Sequence, residues 1–402
     1  MTELLNYSTS MFIGETSGGV PQPVFYDPHT PVFNNKPPGV LVTGAPGGGK
    51  TFFALTVAAL STLLGKTTVV LDPKGDFISL FNLQDQLGKV NLWNLGAQGA
   101  KSRAGILDPF YMAPTQGEQL SLVISVIDLF VGGLTDPQQT ALSPIVKDVS
   151  EMPVPSLQKV VEGLRSSQRP EARDLGTKLD IISHLPSAKL CFSPGNKRQN
   201  AVAIDRGTTV VTLVGMDLPA SPEEARSSNQ GRLVSGLLYL LTDFIRRILH
   251  DEGSTSPKTI IIDEAWSVLA SKQGAEAVRS LALLGRSRGV ALMLATQNTS
   301  HLKHLDIDNT ITTRFAFHTD AREAADIVGA MQLPTDEQFE RVLVDLKVGE
   351  CLMQDWRGRT ATVKISTWKQ DWKEAFNTNP YDKLKKRLEE QKAAAARAAA
   401  GS

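Results

Sequence analysis

The chain has 402 residues, enough for one large domain or two ordinary ones, and 41% of them are apolar, the share of a protein that buries a real core. Lysine plus arginine balance aspartate plus glutamate at 42 each, so no global field draws the chain to nucleic acid or anionic lipid, and any DNA contact must be local. Its two cysteines, Cys191 and Cys351, stand far apart and outside any metal-ligand spacing, which excludes a disulfide scaffold or zinc site and reads as small buried apolar residues in a reducing compartment.

The first segment, residues 1–38, is rich in Gly, Pro, Ser and Asn and reads as a lead-in or edge hairpin, with a β-type piece at Pro23 to Tyr26. From Gly39 strands and helices alternate. A strand over Gly39 to Thr43, a helix over Thr51 to Leu64 and a β-branched strand over Thr67 to Leu71 give the βαβ pattern of a parallel sheet. Between about Thr115 and Ser187 the β signal stops, and helical stretches follow at Glu118 to Phe130, Pro155 to Leu164 and Pro170 to Ile182. Strand signals return at Ala201 to Ile204, Thr208 to Val214, Thr259 to Ile262, Ala291 to Ala295 and Thr313 to His318. The end of the chain, from Tyr381 through an alanine-rich run, forms helix without an apolar face wide enough to dock.

The expected fold is therefore α/β, a RecA-like core over residues 39–114 and 200–368 with a mostly parallel central sheet flanked by helices. An all-α insertion occupies 115–199, and 369–402 is a helical tail. The longest apolar stretches, Leu120 to Leu134 and Leu233 to Ile245, are each broken by an aspartate and fall short of the roughly 18 residues that span a bilayer. With no signal-peptide pattern at Met1 to Asn6, the expected location is cytoplasmic.

Gly44-Ala45-Pro46-Gly47-Gly48-Gly49-Lys50-Thr51 matches the phosphate-binding loop G-x-x-x-x-G-K-[ST], and it lies between a strand and a helix, where that loop belongs. Glycines let backbone N–H groups curl around phosphates, the helix N-terminus adds its positive end, and Phe52 follows in the first turn. Lys50 would reach the β- and γ-phosphates of ATP, and the Thr51 hydroxyl would coordinate Mg²⁺. Thr259-Ile260-Ile261-Ile262-Asp263-Glu264 ends a buried strand in two acids. Asp263 is expected on the metal side, and Glu264 orients and deprotonates the attacking water, or else both acids cap the helix that follows.

Leu294-Ala295-Thr296-Gln297 ends another strand, and Gln297 is a candidate sensor of the γ-phosphate or simply a polar residue closing the strand. Gly285-Arg286-Ser287-Arg288-Gly289 reads as a turn carrying two arginines, either of which is a candidate arginine finger or a surface residue; Arg314 is a weaker third. Asp72-Pro73-Lys74-Gly75-Asp76-Phe77 reads as a turn at the nucleotide-facing edge, with Asp72 or Lys74 near the γ-phosphate or the next subunit.

Together these motifs resemble the FtsK/HerA superfamily of ring ATPases, and within it the assembly ATPases of conjugation and type IV secretion, the fourth VirB component. The likeness rests on Asp72 to Phe77, on Asp263-Glu264-Ala265-Trp266 and on Ala295-Thr296-Gln297, and it runs from Val24 to Trp368. It implies ATP and Mg²⁺ as cofactors and a homohexamer with active sites between subunits, which suits an arginine from Arg286 or Arg288. It also implies partners among the channel components at the inner face of the cell membrane. Only that family's C-terminal ATPase part is matched. The leading expectation is a motor that energises assembly of, or transport through, a secretion channel. The alternatives are a DNA translocase, which the neutral charge does not support, and an ATP-binding scaffold with little turnover.

Overall fold

The computed structural model describes residues 10–378 apart from 97–102, 114, 193–205, 217–218, 220, 250–256, 270, 298, 300–301, 303–305, 335–336 and 368. The expected strand at Ala201 to Ile204 and the tail beyond residue 378 lie outside the described residues.

Strands β1 (Met11–Thr16), β2 (Pro23–Tyr26), β3 (Gly39–Thr43), β4 (Thr67–Asp72), β5 (Val90–Asn94), β6 (Gly207–Thr212), β7 (Lys258–Ile262), β8 (Val290–Thr296), β9 (Ile311–Phe317), β10 (Glu350–Gln354) and β11 (Thr360–Ile365) form one sheet in the order β2-β1-β11-β10-β9-β3-β8-β7-β4-β6-β5. The run from β9 to β5 is parallel throughout, and the four strands beyond β9 pair antiparallel. The sheet is the mostly parallel one expected from the alternation of strands and helices.

Alternation along each central strand explains why they read as continuous apolar runs. Leu41, Val69, Leu71, Ile260, Ile262, Leu292 and Leu294 enter one core, while Val40, Val42, Val70, Ile261, Met293 and Ala295 enter the other. A strand buried on both faces has no polar side to show. One core is closed by helix α1 (Lys50–Leu63), whose Phe53, Ala54, Val57 and Ala58 are fully buried, together with Trp372 and Phe376 from near the end of the described chain.

The other core is closed by α2 (Gln116–Val131), α3 (Asp136–Ser150), α4 (Leu157–Arg165), α5 (Pro170–Ser183), α6 (Asn229–Leu249) and α7 (Lys272–Arg288). The helices between β5 and β6 thus share one apolar core with the sheet. A third, smaller cluster sets α8 (Ala321–Ala330) and α9 (Glu337–Asp345) against Ala316 and Leu352.

Among the elements without a clear sequence signal are α3, β5 and the β10–β11 hairpin. Helix α3 carries Pro144 inside it and Gln, Lys and Asp on its open face, and its signal lies in the reciprocal capping box of Thr135 and Gln138. Strand β5 and the β10–β11 hairpin are short, and β5 and β11 are only partly buried, so their apolar patterns are weak.

One reading is corrected. Arg286 and Arg288 sit in the last turn of α7, not in a turn, because the helix runs to Arg288 and ends at Gly289 in a left-handed C-cap.

Candidate active site

Because the central strands are parallel, their carboxyl ends share one edge, and the chemistry-bearing residues leave from it: Gly44 after β3, Asp72 as the last residue of β4, Asp263 after β7, Gln297 after β8 and His318 after β9. Strand β8 lies between the phosphate-loop strand β3 and β7, so Gln297 emerges between the loop and the two acids.

The loop is shaped by backbone that only glycine adopts without strain. Gly44, Gly47 and Gly49 have φ of 136°, 77° and 117°, and a Cβ on Gly44 would lie 2.8 Å from the Phe317 Cβ. The Ala45 amide donates to the His318 carbonyl at 2.8 Å, and Gly349 donates to the Gly48 carbonyl at 3.0 Å, so β9 and the loop before β10 hold the loop's outer side. Pro46 and Gly47 are exposed at its crest. Gly49 is the N-cap of α1 and offers no side-chain acceptor, so the amides of the first turn, from Lys50 to Phe52, stand ready for an anion. The Phe52 ring meets Phe376 edge-on at 6.1 Å.

Lys50 is 7% exposed, and its ammonium donates to the carbonyls of Gly44 and Ala45 at 2.6 and 2.9 Å. Burial pulls its pKa down to about 8, against the opposing charges of Glu264 and Asp263. A buried ammonium, a helix N-terminus without a side-chain cap and a glycine cradle fit the phosphates of ATP.

The residues expected on the metal side also lie together. Thr51 Oγ1 lies 3.5 Å from Asp263 Oδ2. Burial, then the neighbouring charges of Asp72, Glu264 and Asp76, push the Asp263 carboxyl up to about 7. Such a crowd of acids is relieved by a cation. Among the described residues no group of three or more His, Cys, Asp or Glu side chains is built to hold a metal. Thr51 and Asp263 are the pair of side chains that could share an ion taking its remaining ligands from phosphate and water, as Mg²⁺ does.

Glu264 is the best-held side chain of the site. It is 9% exposed and adopts φ of 52°, a left-handed conformation that is costly for a residue with a Cβ. Three hydrogen bonds fix that kink: the Ser267 amide and hydroxyl donate to the Glu264 carbonyl, and the Ala265 amide donates to the Ala295 carbonyl. Its carboxylate accepts from Gln297 Nε2 at 2.7 Å, from Trp266 Nε1 at 2.9 Å and from Lys74 Nζ. The pair of acids does not simply cap a helix.

Asp72 stands close enough to Asp263 to help raise its carboxyl, but its own oxygens are used by backbone. It is fully buried and accepts from the amides of Gly75, Asp76 and Phe77, which pins the loop that carries Lys74. Burial raises its carboxyl to about 6 against those three hydrogen bonds.

The arginines lie elsewhere. Arg286 and Arg288 precede β8, whose seven residues put them roughly 20 Å from Gln297 along the strand, at the opposite sheet edge. The side chain of Arg286 lies outside the described residues. Arg314 is buried in β9, with its Nε donating to the Ala330 carbonyl at 2.9 Å and Nη1 to Gln354 Oε1 at 3.3 Å, so it ties α8 to the sheet and is no finger. Trp266 and Lys74 join the site through their contacts with the Glu264 carboxylate, which no local sequence pattern marks.

A glycine loop between strand and helix, an acid pair two strands away and a glutamine between them define a P-loop nucleoside triphosphatase of the α/β class. The pattern of the AAA-like domain family matches residues 32–376, and the chain belongs to that family. It is 24% identical over 364 residues to the uncharacterized protein YddE of Bacillus subtilis (strain 168), a match that takes in 85% of this chain and 43% of that protein, so the chain spans less than half of that relative's length. Among solved structures its fold is similar to VirB4 of Thermoanaerobacter pseudethanolicus, with a TM-score of 0.72 at 17% identity over 91% of this chain and 98% of the other. It is also similar to the bacterial conjugative coupling protein TrwBdeltaN70, with a TM-score of 0.58 at 15% identity over 89% and 96% of the two chains. The likeness to conjugation and secretion ATPases carried by the motifs therefore holds at the level of fold. Among the described residues no helix is long and apolar enough to cross a membrane.

Proposed function

We propose that the chain hydrolyses ATP with Mg²⁺ and is the motor part of a conjugative or type IV secretion machine. The observation that carries the catalytic part is Glu264, strained in backbone and gripped by Gln297 and Trp266 on the same edge as Lys50 and Thr51. Bound Mg²⁺-ATP would supply the phosphoanhydride to be cleaved. Lys50 and the first-turn amides of α1 would bind its phosphates, and Thr51 and Asp263 would hold the ion. Glu264 would take a proton from water at a carboxylate oxygen, and Gln297 would keep that carboxylate oriented.

The fold shared with VirB4 and TrwBdeltaN70 supports a place in conjugation or secretion, with channel components at the inner face of the membrane as partners and a cytoplasmic position. A homohexamer suits the arginines: from the far sheet edge, Arg286 or Arg288 would serve a neighbouring copy's nucleotide and not its own. We read residues 39–114 and 200–368 as the ATPase core and 115–199 as a helical insertion.

The test is Glu264→Gln with turnover and ATP binding measured together. Loss of hydrolysis with binding kept supports the motor, whereas unchanged turnover removes Glu264 as the base. Specific activity that rises steeply with protein concentration supports catalysis across subunits, and a flat dependence argues against it.

A further inference from the structure

We propose that Lys74 is a second phosphate-facing cation, parked on Glu264 until a terminal phosphate draws it away. The inference rests on the ATP-binding reading of the same site and adds a residue and a role to it.

Three observations carry it. First, the two partners of the ion pair are unequally placed: the Lys74 side chain is 48% exposed and that of Glu264 is 11% exposed. The lysine has room to leave, and the carboxylate does not, because Trp266 and Gln297 hold its two oxygens. Second, the backbone beneath Lys74 is fixed. Asp72 accepts three amides from Gly75 to Phe77, and Gly75 turns the chain with φ of 88°. Movement is therefore confined to the long Lys74 side chain, which has four flexible methylenes. Third, Glu264 follows Asp263, whose Oδ2 lies 3.5 Å from Thr51 Oγ1 in the first turn after the phosphate loop, so the carboxylate that holds Lys74 stands beside that loop. An anion on the loop thus sits in the field of Lys74 as well.

The chemistry follows from competition for one cation. A carboxylate whose two oxygens are taken by an ammonium, an indole N–H and an amide has fewer lone pairs free to receive a water. Transfer of Lys74 to the γ-phosphate would remove the strongest of those donors and add a positive charge where negative charge gathers during phosphoryl transfer. ADP lacks the γ-phosphate and would leave Lys74 on Glu264. The ion pair then serves as a check that couples the base to the presence of a triphosphate. Lys74 in this role is a positioning residue for Glu264 and a binding residue for ATP.

The experiment compares ATPγS with ADP on the full chain and on Lys74→Met and Lys74→Arg. Trp266 reports on the carboxylate because its indole N–H is bonded to it. Its emission is isolated as the difference from Trp266→Phe. In the unaltered chain ATPγS is expected to shift that emission and ADP is not. In Lys74→Met neither nucleotide should shift it further, and the preference for ATPγS over ADP should fall by roughly ten- to a hundredfold, the worth of one charge-assisted hydrogen bond. Lys74→Arg should restore part of the preference. Equal emission changes with ADP and ATPγS, or a Lys74→Met protein that keeps its full preference, would overturn the proposal. Failure of the unaltered chain to bind either nucleotide, with Lys50→Ala no different, would instead refute the ATP-binding reading on which it stands.

Discussion

Gln297 donates to the Glu264 carboxylate at 2.7 Å across 33 residues of sequence, joining the tips of two adjacent parallel strands. The bond fixes one oxygen of Glu264 from the side of β8, the strand between the phosphate loop and the acids.

Gln297→Ala should therefore loosen the base without touching the phosphate cradle. Turnover is expected to fall by roughly ten- to a hundredfold, the loss of one hydrogen bond to a charged group, with ATP affinity nearly unchanged. Single-turnover hydrolysis alongside equilibrium binding separates the two. A change confined to affinity would show that Gln297 contacts nucleotide and does not orient Glu264.

Gly49→Ala tests the loop. At φ of 117° a Cβ is strained in any case, and here it would lie 3.2 Å from both Gly349 Cα and Phe317 Cε1. We expect destabilisation of about 1–3 kcal/mol together with weakened ATP binding, because the loop must shift to make room. Thermal melts with and without nucleotide check both effects. A variant as stable as the parent would mean that the loop before β10 yields freely.

The nucleotide edge was largely legible before the structure, and the reason is physical. Phosphate binding demands glycine, lysine and threonine at fixed spacing, and a strand buried on both faces demands an unbroken apolar run before its terminal acid, as in Thr259 to Asp263. The Lys74 and Trp266 contacts with Glu264 escaped because they join residues distant in the sequence or carry no local pattern. The Lys74 bond to Glu264 spans 190 residues, and nothing local in Pro73-Lys74-Gly75 distinguishes it from any solvated turn. Arg286-Ser287-Arg288-Gly289 was misread for the opposite reason. Its glycine does break the helix, but as a left-handed cap after Arg288, which keeps both arginines helical. Helix α3 was invisible because its stability comes from a capping box and a few apolar contacts instead of a wide apolar face.

At the opposite edge of the sheet a buried network ties the lead-in segment to the core. Asp27 accepts from Lys66 Nζ at 2.9 Å and lies 3.2 Å from His29 Nδ1, while His29 Nε2 lies 3.0 Å from the Lys258 carbonyl. Burial alone would raise the Asp27 carboxyl, but the His29 hydrogen bond and the Lys66 charge overcome it and hold it well below the usual range. Lys66→Met leaves that carboxylate buried with one fewer cation and should cost about 3–5 kcal/mol. Because the folded pKa is depressed, the contribution of Asp27 is present above its unfolded pKa near 3.8 and is lost as pH falls below that value. Urea unfolding at neutral and acid pH measures both, and a Lys66→Met protein of parental stability would rule the network out as a staple.

Asp108 carries the opposite sign. It begins the helical stretch after β5, where its Oδ1 accepts from the Phe110 amide at 3.2 Å and its Oδ2 from the Leu157 amide at 3.0 Å, so one carboxyl joins that stretch to α4. Burial raises its pKa to about 7, and the two backbone hydrogen bonds only partly oppose the rise. Folding therefore takes up a proton between the unfolded pKa near 3.8 and the folded value near 7. The contribution is fully present below the unfolded pKa and is lost as pH rises through the folded one, so stability from this group falls across that interval. Asp108→Asn cannot titrate, and it turns an N–H₂ toward one of the two amides, so it starts lower at pH 5. Between pH 5 and pH 8 the parent should lose about 2 kcal/mol more than the variant, and denaturant midpoints at the two pH values give the difference directly. Parallel losses in the two proteins would mean that the Asp108 carboxyl is ionised across the whole range and that its two amide bonds outweigh its burial.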